Sequence, residues 1–140
     1  MAKKKPAIEY PKCLAILLCD LFVTDPNSSK PNIFGVFDVF TPAKLPGTAS
    51  FCVYGKFYGG NGKIPISVEL LDPVGKPVEG ASLDIESMEF RPKRVSQVGG
   101  VFAKVALKKK GMHKLVFRSG KHIIAESNQI EVRLRAKNGT

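Results

Sequence analysis

Between Cys13 and Val23 the chain is apolar on both alternating sets of positions. Leu14, Ile16, Leu18 and Phe22 fall on one side, and Ala15, Leu17, Cys19 and Leu21 on the other. An extended strand of this kind has no face to offer to water, so it must lie inside a sheet covered on both sides or against a partner chain. A buried helix is the rival reading of so short an apolar run. The polar cluster from Thr24 to Asn32, with Pro26 and Pro31, favours the strand, because it suits a strand-to-strand connection better than a helix end. Ile33 to Phe40 is aromatic and β-branched, as strands are, and Gly35 within it marks a bulge or a close backbone approach. The chain is thus expected to build on an N-terminal hairpin, Cys13–Phe40, each of whose strands carries one aspartate, Asp20 or Asp38.

The remainder alternates with a period of two. Phe51, Val53 and Phe57 alternate with Cys52, Tyr54, Lys56 and Tyr58, and Gly59-Gly60-Asn61-Gly62 follows. Asn61-Gly62 reads as a hairpin turn, since both positions accept positive φ. Ile64, Ile66, Val68 and Leu70 form the next apolar face, with Pro65 placing that end at an edge or bulge. Asp72-Pro73-Val74-Gly75-Lys76 is a turn set by proline and glycine. Val78, Leu83 and Ile85 then give way to Met88 and Phe90 at the opposite parity, which predicts a bulge near Ser87. Arg91–Arg94 is a basic connection, Val101–Leu107 a sixth strand, and a closing pair turns at Ser119-Gly120. About eight strands spaced by turn chemistry, with no convincing helix, predict an all-β, antiparallel two-sheet sandwich. The expected division is a flexible basic tail over 1–11, the sandwich domain over 12–135 and a C-terminal tail over 136–140.

Two resemblances refine this expectation. The closing hairpin GMHKLVFRSGKHIIAESNQIEV, residues 111–132, resembles the end of bacterial immunoglobulin-like and fibronectin-like modules. The front half is similar to a bacterial family of small domains with no assigned function: LAILLCD at 14–20, a polar loop, IFGVFD at 33–38, a proline-bounded turn and FCVYGKF at 51–57. Together the resemblances imply an immunoglobulin-like sandwich and no activity.

The 22 basic residues against 12 acidic ones give +10, a balance that speeds encounter with nucleic acid, anionic lipid or an acidic protein. It serves equally to keep a small sandwich in solution. Three cysteines, Cys13, Cys19 and Cys52, are an odd number inside apolar strands with no C-x-x-C, the usage of buried reduced thiols in a reducing compartment. Lys3–Lys5 before CLAILLC mimics a signal peptide, but Pro6, Glu9, Pro11 and Lys12 intervene and Asp20 ends the run early. The run also falls far short of the roughly 20 residues of a membrane-spanning helix. A cytoplasmic location with no membrane association is expected.

Candidate sites are few. If the loop is Thr24–Asn32, positions summing to about 58 face one another and set Asp20 opposite Asp38. Facing carboxylates are either a cation or acid/base site, or two side chains that cap turns and pair with bases. Without a third ligand or a nearby histidine they are weak metal candidates, and no cofactor is expected. No G-x-S-x-G is present, and His113 and His122 read as exposed strand histidines, so no catalytic residue is assigned and the chain is expected not to be an enzyme. A polyanion or nucleic-acid contact would use Tyr54, Lys56 and Tyr58 on one strand face with Lys108, Lys109, Lys110, Arg133 and Arg135. The preferred expectation is a non-catalytic interaction or assembly module. Its partner is a protein or another copy of the chain, met through the apolar N-terminal hairpin.

Overall fold

The computed structural model describes residues 8–136, which form nine strands and, among the described residues, no helix. β1 (Lys12–Thr24), β2 (Pro31–Phe37), β4 (Gly47–Tyr58) and β7 (Val95–Leu107) make one sheet in the order β2-β1-β4-β7. β3 (Val39–Phe40), β5 (Gly62–Leu71), β6 (Pro77–Phe90), β8 (Gly111–Ser119) and β9 (His122–Val132) make the other, in the order β3-β9-β8-β5-β6. The pairings β4–β7 and β9–β8–β5 are those of the B–E and G–F–C strands of an immunoglobulin sandwich, with β1 inserted as an additional first strand. The expected sandwich is present.

Period-two alternation places one set of side chains between the sheets. Phe51, Phe57, Phe90, Phe102 and Phe117 are fully buried there with Ile66, Leu70 and Leu115. Their rings meet edge to face, Phe57 on Phe117 at 5.5 Å and Phe51 on Phe102 at 5.5 Å between centroids. Such pairs add about 0.5–1.5 kcal/mol each beyond area burial. The parity flip in β6 is a bulge: Ile64 and Ile66 are opposite Met88 and Ile85, so β6 carries an extra residue between them. Leu14 is likewise the extra residue where Cys13 and Ala15 pair with Phe57 and Lys56, which leaves it half exposed.

Three expectations need correction. Ile33–Phe40 is not one strand: it breaks at Asp38, and Val39–Phe40 crosses to the second sheet to pair in parallel with Glu131 and Val132. Asn61-Gly62 does not close a hairpin, because β4 and β5 lie in different sheets. Its neighbours bond elsewhere, Gly59 N–H to the Arg94 carbonyl and Asn61 N–H to the Glu9 carbonyl, so the link carries the chain across the sandwich. The third concerns the tail expected over 1–11. Ile8–Pro11 is held in place: Glu9 bridges Asn61, Tyr10 stacks on His122 at 3.7 Å and Pro11 is buried. Residues 1–7, with the Lys3–Lys5 run, lie outside the described residues, as do 137–140 of the C-terminal tail.

Candidate functional site: the N-terminal hairpin and its groove

The hairpin register is fixed at its loop. Asp25 N–H donates to the Lys30 carbonyl and Ser29 N–H to the Asp25 carbonyl, and the Asp25 carboxylate accepts from Asn27 N–H at 2.8 Å. The Asn27 amide, with the amide and hydroxyl of Ser28, holds the Asp25 carboxyl below its usual range. Thr24 therefore pairs with Pro31, and facing positions sum to 55, as in Cys19 with Val36 and Leu21 with Phe34. Pro31 enters the strand because β2 is an edge, where a missing N–H costs no ladder bond.

This register separates the two aspartates. Asp20 lies over Gly35, whose φ of +67° and lack of a side chain make room: a Cβ there would sit 2.7 Å from Asp20 Cγ. Asp38 stands three residues further along, at the strand break, where its carbonyl accepts from Glu131 N–H at 2.9 Å. The expected facing pair, and with it the cation or acid/base geometry, is not formed. Among the described residues no three His, Cys, Asp or Glu side chains converge as a metal site would require.

β1 pairs with β4 only as far as Cys19. Beyond that point it leaves its neighbour and crosses the outer face of the first sheet. The Cys52 thiol donates to the Asp20 carbonyl at 3.7 Å, and the Phe22 ring lies 6.0 Å from that of Tyr54 and directly over Gly99. Cys19, Cys52 and Tyr54 are buried beneath it. Burial raises the Cys19 and Tyr54 pKa values. Leu21, Val23, Phe34 and Val36 share the opposite side of the ribbon, each about half exposed. The strand apolar on both faces thus uses one of them to seat its own hairpin and leaves the other open.

The basic and aromatic residues proposed as a polyanion contact do not form one surface. Tyr54 is buried, so its ring offers no stacking platform, while Lys56 and Tyr58 are exposed near one end of β4. Lys108–Lys110 follow Leu107, which pairs with Gly47 at the other end of β4, about 30 Å away at ~3.3 Å per residue. Arg133 and Arg135 continue past Val132, which is opposite Gly111, and so sit with the lysine run. Lys108 is paired with Glu79 at 3.1 Å and Lys109 with Asp72 at 3.3 Å. The histidines differ as well: His113 is buried, not exposed, with Nδ1 3.0 Å from the Gly111 carbonyl, and is opposite Ile130. His122 is exposed under Tyr10.

Sequence reading missed the recess beside the hairpin. A cavity of about 300 Å³ opens between Ile16, Leu18, Phe37 and Asp38 on one side and Ser127, Gln129 and Ile130 on the other. It depends on the strand break at Asp38 and on the register of β9, neither of which alternation reveals.

No curated protein matches the chain. Among solved structures, a crystal structure of an immunoglobulin-like protein from Pseudomonas aeruginosa is similar at TM-score 0.42 and 15% identity, over 91% of this chain and 98% of that one. A β-glucosidase from Listeria innocua is similar at TM-score 0.37 and 14% identity, over 69% of this chain but only 14% of the longer protein. The profile of a family of unknown function (DUF6941) matches residues 14–134, nearly the whole sandwich, and the chain belongs to that family.

Proposed function

We propose that the chain is a non-catalytic interaction module that assembles with a second copy of itself through the N-terminal hairpin. The observation that carries this reading is the row of half-exposed apolar side chains Leu21, Val23, Phe34 and Val36 on a ribbon whose outer strand, β2, is a sheet edge. A free, apolar edge strand is a template for another strand, and antiparallel pairing of two β2 edges about a two-fold axis is self-complementary. It would extend the first sheet across both copies and bring the two apolar rows together.

Charge supports a second copy as the partner. Residues 13–40 carry three carboxylates, Asp20, Asp25 and Asp38, against one lysine, Lys30, in a chain of net charge +10. Two such cationic bodies repel less where this ribbon faces them than at the lysine- and arginine-bearing ends of the strands. The three free thiols, two of them buried, support a reducing compartment and hence a cytoplasmic setting. Multi-angle light scattering tests the assembly: a species of twice 15.2 kDa is expected, converted to single chains by Phe34→Glu. A strict monomer at high micromolar concentration overturns the reading.

A further inference from the structure

Two unpaired strand edges face each other on the open side of the sandwich. β1 is bonded to β4 from Lys12 onward but meets β2 only from Leu18, so Lys12–Leu17 has a neighbour on one side alone. β9 meets β3 only at Glu131 and Val132, so His122–Ile130 is bonded to β8 alone. The vacancy arises because the chain, having run beside β1 as β2, leaves that row at Asp38 for the other sheet. The cavity at Asp38 continues as an open trough of about 380 Å³ between Cys13–Ile16 and Glu126–Gln129. Six residues of bare edge make a row about 20 Å long.

We infer that this row is an acceptor for an extended, cation-bearing peptide segment of a partner protein, bound as an added strand beside Lys12–Leu17. Past the bulge at Leu14, alternate residues of that stretch turn N–H and C=O away from β4 toward the trough, which is what strand addition uses for affinity. Alternate side chains of the incoming strand meet the apolar wall of Ile16, Leu18 and Ile130, while Ser127 and Gln129 line the polar rim. The charge of the occupant follows from the lining. Asp38 and Glu126 are the two charged side chains of its lining, and the one cation of the acceptor row is Lys12 at its outer end, in a chain that has 22 lysines and arginines. Asp38 has no ion-pair partner among the described residues, whereas Glu126 is 3.7 Å from Lys114. The site lies in the same row as β2 but does not use the outward edge of β2, so it is independent of pairing between copies.

The probe is the capped pentapeptide Val-Lys-Val-Lys-Val, added to the full chain while amide hydrogen exchange is followed by NMR. Exchange at the trough-facing amides of Lys12–Leu17 is expected to slow, with shifts at Ser127–Gln129. Val-Glu-Val-Glu-Val, or a peptide with proline at its centre, is expected to leave both unchanged. Asp38→Asn, an exposed change, should weaken binding of the lysine peptide about two- to fivefold, the measure of one rim charge. The inference is overturned by unaltered exchange at Lys12–Leu17, by equal binding of the glutamate peptide, or by protection already present without peptide that grows with protein concentration, which would put a second copy in the trough.

Discussion

Gly99→Ala tests the docking of the hairpin on its own sheet. Gly99 is opposite Tyr54 on the outer face, and a Cβ there would lie 2.7 Å from Phe22 Cε1 and 3.1 Å from Cε2, against ordinary carbon contacts of about 3.5–4.0 Å. The ring must retreat, carrying the far half of β1 away from Tyr54 and Cys52. Overpacking of this kind costs about 1–3 kcal/mol. The backbone at Gly99 is not in the left-handed region, so alanine itself is tolerated and, with the ring absent, should gain about 0.4–1 kcal/mol by restricting the unfolded chain. Phe22→Ala alone should cost about 1–2 kcal/mol, as befits a half-buried ring. In the Phe22→Ala background the effect of Gly99→Ala therefore changes sign, a coupling of at least ~1 kcal/mol. Urea midpoints of the four proteins at constant slope measure it. If Gly99→Ala destabilises equally with and without the Phe22 ring, the hairpin does not rest where described.

Asp72 gives a pH dependence. Its carboxylate accepts from Lys76 and Val74 N–H, each at 3.0 Å, with Lys109 beside it, and these hold its pKa below the usual range. A depressed carboxyl stabilises above its unfolded pKa of about 4 and loses that contribution as pH falls through the folded value. The melting temperature should accordingly drop on acidification, and Asp72→Asn, which keeps an acceptor for the turn, should flatten that limb; an unchanged limb would remove the assignment. The thiols should also sort by burial: native protein should release one equivalent slowly to a disulfide reagent, from half-buried Cys13 with its raised pKa, and faster as pH rises. Cys19 and Cys52 should react only on unfolding, and prompt reaction of all three would contradict their enclosure.

Where the sequence was legible, a single strand's own pattern held the information. The parity change between Ile85 and Met88 exposed the bulge in β6, and Asp72–Lys76 declared its turn through residue types that leave few alternatives. Relations between strands were not legible. The aspartate pair fails on register: facing positions sum to 55 and not 58, since Pro31, admitted at an edge, pairs with Thr24, which sets Asp20 opposite Gly35 and leaves Asp38 past the end of the ladder. Asn61-Gly62 has hairpin chemistry, but Asn61 bonds to Glu9 and Gly62 is opposite Phe90, segments remote in the chain. Tyr54 shares a strand face with Lys56, yet alternation could not reveal that Phe22 would cover one and leave the other in water. The trough beside β1 is the extreme case, since it is formed by what two strands leave unpaired.

The insertion of β1 between β2 and β4 orders the assembly of the domain in time. Its pairing with β2 is local, closed by a short loop, whereas β4 partners β7 some fifty residues later and β5 partners β8 at a similar remove. Loop-closure entropy falls most heavily on those distant joints, so the sandwich condenses on the millisecond-to-second scale of non-local β proteins. During synthesis the hairpin emerges first and can zip early, but the surface that Phe22 must rest upon is incomplete until Gly99 has left the ribosome. For that interval both sides of the ribbon are bare, which makes residues 13–40 the part of a nascent chain with most to gain from a chaperone.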